Sequence, residues 1–193
     1  MVMQKSTQTP VDQILTFLAH HHSDDADIFF GKLLTKIHTI FNVDFAFVGK
    51  LHSGTSAYVD TLAFIADGQP HENFRYSLKG TPCENVVNET TCCFSSSVAA
   101  QFPEDPHLVE MDIDSYAGTI LRSSSHSPLG ILAIMSKSQI ANIDELRRVL
   151  EISSMRAAST LELLLAGDEI RKTNERYHAV VEDQMELVSR YDS

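Results

Sequence analysis

Residues 74 to 137 constrain the fold more than any other stretch. They open on Phe74-Arg-Tyr-Ser-Leu-Lys79, which alternates Phe74, Tyr76 and Leu78 against Arg75, Ser77 and Lys79. Period-two alternation reads as a half-buried strand. Gly80 breaks it. Thr81-Pro82 then reads as a helix start, with Thr81 as N-cap, Pro82 at the first helical position and Glu84 at the third, a capping box. Phe102-Pro-Glu-Asp105 and Ser115-Tyr-Ala-Gly118 follow, and the stretch closes on the apolar strand Leu129 to Met135. A strand, a short helix, an irregular segment and two closing strands make one wall of a pocket. No set of nucleophile, base and oxyanion donors is visible in it.

Charge narrows the partners. Asp and Glu outnumber Lys and Arg by 26 to 15, a formal charge of −11 over 193 residues. That speaks against nucleic acid and against an anionic membrane, both of which need a basic face. No apolar run has transmembrane length and Met1 to Thr9 is polar, so the expectation is a cytoplasmic protein. Three Cys, two of them adjacent, do not make a disulfide framework.

In chain order, Met1 to Pro10 reads as a tail and Val11 to Leu18 as a short amphipathic helix ending at His20-His21-His22. Three consecutive helical residues point in different directions, so these His read as a solvated helix end, with no metal site expected. Ser23 to Asp27 offers caps for a helix over Ala26 to Phe41. Asp44 to Leu51 and Tyr58 to Ile65 read as strands joined by a turn at His52-Ser53-Gly54-Thr55. A turn at Ala66 to Pro70 leads into the strand at Phe74. Short helices are expected at Pro82 to Asn88, Val98 to Phe102 and Pro106 to Met111, with a strand at Thr91 to Phe94. Ser115 to Arg122 and Pro128 to Lys137 form a hairpin. A long helix starts near Asn142 and runs past Tyr177. Its Leu146, Val149, Leu150, Ser153, Ala157, Leu161 and Leu164 lie near the coiled-coil period, and Ser153 with Ala157 thins the seam enough to admit a second helix.

Residues 26 to 166 resemble a GAF domain, a sensor module of PAS-like fold. The resemblance rests on the entry helix with its strand, Tyr76 to Glu84, Phe102 to Asp105, Ser115 to Gly118, Leu129 to Met135, and Arg156-Ala157-Ala158 in the exit helix. It implies an α+β fold with a central antiparallel sheet of about six strands, flanking helices and a long C-terminal helix. Arg176 to Leu187 is similar to the opening of a PAS domain. The expected organisation is a tail and helix over 1–25, a GAF domain over 26–166, and a linker helix with the start of a PAS-like segment over 167–193.

The resemblance implies a sensory domain of a bacterial signalling protein, of the kind that precedes PAS, histidine-kinase or diguanylate-cyclase output. It would be homodimeric through its first and last helices, would bind a small ligand of unknown identity, and would have no catalytic residues of its own. Tyr58, Phe64, Tyr76, Cys83, Asp105, Tyr116, Thr119 and Met135 are the candidate pocket lining; the plain reading of Phe64, Tyr76 and Met135 is core. Bilin-binding GAF domains attach pigment through a Cys beside a His, and no such pair exists here. His107 and His126 are the loop histidines a haem would use. The cyclic-nucleotide signature is matched at Lys137, Asp144 and Glu145 and departs at Ser136 and Ile140; a Lys137–Asp144 ion pair would simply pin the last strand to the exit helix. Two other classes stay open: a ligand-free dimerisation module, and a thiol-based redox enzyme using Cys83, Cys92 and Cys93, resembling free methionine sulfoxide reductase.

Overall fold

A computed structural model of the chain describes residues 8–21, 25–52, 54 and 57–191. Residues 1–7, His22, Ser23 and the turn residues Ser53 and Thr55 lie outside the described residues. The chain forms two compact units, Met1–Leu161 and Glu162–Ser193.

The first helix, α1 (Pro10–His20), begins with a reciprocal cap. Thr9 Oγ1 accepts the Asp12 N–H at 3.1 Å, and the Asp12 carboxylate accepts the Thr9 N–H at 3.2 Å. At its other end His20 Nδ1 bonds the Thr16 carbonyl at 2.8 Å, and His21 Nδ1 bonds the Phe17 carbonyl at 3.0 Å. The Phe17 carbonyl also accepts the His21 backbone N–H at 3.0 Å, so these imidazoles add second bonds at the helix end. Among the described residues no group of three or more His, Cys, Asp or Glu is placed to hold a metal ion. The second helix, α2 (Ala26–Phe41), is capped by Asp25 Oδ1, which accepts from Asp27 N and Ile28 N. It ends at Asn42 in the left-handed region, φ 51°.

Seven strands follow: β1 (Phe45–His52), β2 (Tyr58–Ala66), β3 (Gln69–His71), β4 (Arg75–Ser77), β5 (Thr91–Phe94), β6 (Ser115–Arg122) and β7 (Pro128–Ser136). They make one antiparallel sheet in the order β3-β2-β1-β7-β6-β5, with β4 also paired to β2. The expected six strands become seven because Gln69–His71 folds back on Phe64–Ala66 after the Asp67-Gly68 turn. Three short helices, α3 (Pro82–Glu89), α4 (Val98–Gln101) and α5 (Pro106–Glu110), cover one face.

The sheet is buried on both sides, so β7 carries no polar alternation. On the α3–α5 side lie Phe45, Phe47, Val59, Tyr76, Tyr116, Ile120, Ile131, Ala133 and Met135. On the other side packs α2, with Phe29, Phe30, Leu33, Leu34 and Ile37, and α1 packs on α2 through Ile14; none of these is more than 1% exposed. Each such side chain contributes about 1.5–3 kcal/mol on burial. The last helix, α6, runs Ile143–Tyr191. Within the first unit its Leu146, Val149, Leu150, Ser153, Ala157 and Leu161 are all 0% exposed.

Two expectations change here. The thin seam at Ser153 and Ala157 is not free for a second copy, because it is used against the chain's own core. The Thr81 capping box is shifted by one residue. Thr81 Oγ1 donates back to the Leu78 carbonyl at 2.7 Å, and Glu84 Oε2 accepts the Gly80 N–H at 2.9 Å. Gly80 at φ 76° turns its N–H toward the helix start, where Thr81 would otherwise present its own.

β7 is tied to the start of β1 through Asp44. Its carboxylate accepts Ser136 Oγ at 2.6 Å and the Lys137 N–H at 2.7 Å, while the Lys137 ammonium lies over the Phe45 ring. The expected Lys137–Asp144 ion pair is not among those the described residues form, and Asp44 ties β7 to β1, not to the last helix.

In the second unit α6 carries Leu163, Ile170 and Tyr177, which are 72%, 63% and 67% exposed and recur every seven residues. Arg171 bonds Asp168 and Glu175 at 3.2 and 3.3 Å on the neighbouring face. The PAS-like stretch, Arg176 to Leu187, lies inside this helix.

Candidate functional site

Between the sheet and α3–α5 is a cavity of about 30 Å³. It is lined by Phe47, Phe74, Tyr76, Pro82, Cys83, Asp105, His107, Leu108, Met111, Tyr116 and Met135. Five of the expected residues meet there: Tyr76, Cys83, Asp105, Tyr116 and Met135. Each arrives from a different element. Tyr76 comes from β4, Cys83 from the first turn of α3, Asp105 from the N-cap of α5, Tyr116 from β6 and Met135 from β7.

Cys83 is the centre of the polar corner. Its Sγ takes the proton of Tyr76 Oη at 3.1 Å and bonds Tyr116 Oη, also at 3.1 Å. Burial pushes the Cys83 thiol up to about 11, against the pull of the two tyrosine hydrogen bonds. Burial, with Cys83 beside them, also raises both phenols well above their ordinary value. The triad is therefore neutral at pH 7 and links three elements as hydrogen-bond donors and acceptors.

Asp105 is 7% exposed. Burial raises its carboxyl pKa, opposed by the backbone N–H groups of His107 and Leu108. The His107 N–H bond is 3.1 Å. The ring of His107 lies 5.8 Å from that of Phe74, which in turn lies 5.9 Å from Tyr76. Phe47 meets Tyr76 edge-on at 5.8 Å.

The other three expected residues lie elsewhere, and strand parity accounts for two of them. Tyr58 pairs with Ser77 on the solvent side of β4, where His52 stacks on it at 4.3 Å and the Arg75 guanidinium covers it at 4.3 Å. Arg75 also holds Asp60 at 2.6 and 2.9 Å, and that bond lowers the Asp60 pKa. Thr119 is three residues from Tyr116 along β6, so it faces the other way and bonds Thr91 Oγ1 at 3.0 Å. Phe64 packs on Phe45 and Phe74 at the margin of the same core without reaching the cavity. Six lining residues were not expected. Of these Phe74 stood in the alternating stretch, and His107 and Leu108 stood in the first turn after Pro106.

The remaining thiols lie apart from the cavity. Cys92 bonds Glu89 at 3.4 Å and is raised by burial to about 12. Cys93, on the opposite face of β5, is raised by burial and partly restored by Arg147. At a pKa near 11 about one thiol in ten thousand is ionised at pH 7. A thiol-specific disulfide reagent should therefore modify Cys93 first, with Cys83 at least 100-fold slower in native than in urea-unfolded protein. The raised values also set an alkaline limit. A thiol held above its unfolded value stabilises fully below that value and loses its contribution as pH climbs through the folded one. Stability should thus fall between about pH 9 and 11. A flat stability profile through that window, or a fast native Cys83, would contradict the burial argument.

No family model matches the chain, and no curated relative does. Solved structures do share its fold. The chromophore-binding domain of Stigmatella aurantiaca phytochrome P1 superposes with a TM-score of 0.60 at 12% identity, over 78% of this chain and 58% of that one. Bacteriophytochrome RpBphP3 from R. palustris gives 0.62 at 12% identity, over 87% and 40%. The chain thus spans less than two thirds of these structures. Their shared feature is a GAF domain, and the α+β sheet, the covering short helices and the long last helix seen here have that architecture. The chain has the fold of a GAF domain.

Proposed function

We propose that this chain is a sensory GAF module of a signalling protein, cytoplasmic, and dimeric through its last helix. A small ligand in the cavity would be read by the 81-to-112 segment and relayed along α6 to an output domain. The carrying observation is the cavity itself: its walls come half from the sheet and half from that segment, joined through Tyr76, Cys83 and Tyr116. A ligand that parts these bonds moves α3 and α5 relative to the sheet. The structures that share the fold are photosensory and chromophore-binding by name, which favours sensing over an unliganded interaction role. At about 30 Å³ the cavity calls for something far smaller than a pigment. The buried, raised thiols lend no support to a redox enzyme.

The dimer contact proposed is the heptad row Leu163, Ile170 and Tyr177, since the Ala157 seam is occupied. Native mass spectrometry at about 20 µM should show a dimer, and Ile170→Glu should shift it to monomer, weakening association at least tenfold, because a charge at a seam position is desolvated on pairing. A small retained mass per subunit would support sensing. A wild-type monomer at that concentration would remove the relay.

A further inference from the structure

We propose that the cavity recognises a small ammonium cation, ammonium itself or a short alkylammonium, with Asp105 as counter-ion and Phe47, Phe74 and Tyr76 as π walls. The inference rests on the sensory reading and names the chemical class of its ligand. Four observations lead to it. First, the walls are aromatic rings at steep mutual angles: Phe47 to Tyr76 is 78° and Phe74 to Tyr76 is 41°. All three rings line the cavity, and an aromatic face open to it would attract a cation through its quadrupole.

Second, Asp105 lines the cavity, is 7% exposed, and among the described residues forms no ion pair with Lys, Arg or His. Its Oδ1 takes the His107 N–H. Two backbone N–H groups and the neighbouring His107 favour its ionised form against burial, and a cation entering the cavity would favour it further. Third, the polar corner offers acceptors. Tyr76 spends its proton on Cys83 Sγ, which leaves phenolic lone pairs, the sulfur and the carboxylate for a donor-bearing guest. No Lys or Arg lines the cavity, so an anion would meet Asp105 with only the His107 imidazole beside it.

Fourth, size fits. The cavity of about 30 Å³ exceeds the roughly 10–15 Å³ needed to hold one water, so a guest of ammonium size fits. Short methyl substituents would be accommodated by Met111 and Met135, whose unbranched side chains re-pack readily. The chain's charge of −11 raises the local concentration of cations around it.

The test is calorimetric or NMR titration of the full chain at fixed ionic strength with three probes. Trimethylammonium chloride is the cation, tert-butanol its neutral counterpart in shape, and sodium acetate the anion. Trimethylammonium should bind at least tenfold more tightly than tert-butanol, and acetate should not bind. Asp105→Asn should lower the trimethylammonium affinity at least tenfold while leaving tert-butanol unchanged. Asn caps a helix as well as Asp does, so α5 should persist. Phe74→Leu provides a second variant, expected to weaken the cation about threefold or more. Equal binding of tert-butanol, preference for acetate, or an unaffected Asp105→Asn would overturn the cation assignment and leave the sensory reading standing. Silence from all three probes would overturn the assignment too, with the dimer measurement then deciding the sensory reading by itself.

Discussion

Gly130→Val is expected to cost the fold about 3 kcal/mol or more, the upper end for overpacking a core. Gly130 sits in β7 opposite Lys50 of β1, on the face that α6 covers. A Cβ there would overlap the Gly49 carbonyl oxygen and lie 2.7 Å from Leu161 Cδ2. The first obstacle is backbone, held in the β1–β7 ladder, so it cannot rotate away as a side chain can. β1 cannot retreat either, because Gly49 is itself pressed against Val59 of β2, where an added Cβ would overlap a Val59 methyl. Relief must come from prising β7 off β1 or lifting the end of the first unit's helix. Urea unfolding should show the loss as a lower midpoint, with a fall in Tm of about 6–12 °C for a chain of this size. Gly31→Ala is the matching control. Nothing lies within 4 Å of a Cβ at Gly31, and Ala in a helix is favoured over Gly by roughly 0.5–1 kcal/mol. If Gly130→Val came within 1 kcal/mol of the wild type, the close approach of β1, β7 and α6 would be wrong.

Much of the fold could be read in advance because its signals are local. Ala26–Phe41 and Ser115–Arg122 have the bounds the residues suggested, since caps and turns mark them. The five convergent lining residues were legible as single motifs. Their convergence was legible only through the resemblance, because β4, α3, the α5 cap, β6 and β7 spread them over residues 76 to 135. Three things were hidden for physical reasons. Which face of a strand a residue takes depends on register, so Tyr58 and Thr119 looked as eligible as Tyr76. A stripe of small residues shows that something approaches closely, yet not whether it is another copy or the chain's own core; Ala157 turned out to be the second. Gly80 and Thr81 could each have begun α3, and only the left-handed turn at Gly80 settles which N–H the Glu84 carboxylate takes.

The glycine two residues beyond Tyr116 carries the second large expectation. A Cβ on Gly118 would overlap the Tyr116 hydroxyl and lie 2.8 and 2.9 Å from its Cζ and Cε1. The Tyr116 ring therefore lies along its own strand, over Gly118, and this is how its hydroxyl reaches Cys83 at 3.1 Å. Tyr116 is 1% exposed, so a displaced ring has no free space to enter. Gly118→Val should cost about 2–4 kcal/mol, combining overpacking with a phenol left without its partner in the core. Tyr116→Phe separates the two contributions. It keeps the ring and removes only the hydroxyl, for about 1 kcal/mol. It also removes one of the bonds that hold the Cys83 pKa down, so the thiol should become harder to ionise, not easier. If Gly118→Val proved no worse than Tyr116→Phe, the ring would not be leaning on Gly118. If it proved worse by the expected margin while β6 kept its pairing by hydrogen exchange, the floor of the cavity would be traced to a single missing side chain. The same variant should then lose any probe that the intact cavity holds, because Tyr116, Cys83 and Tyr76 are one connected corner.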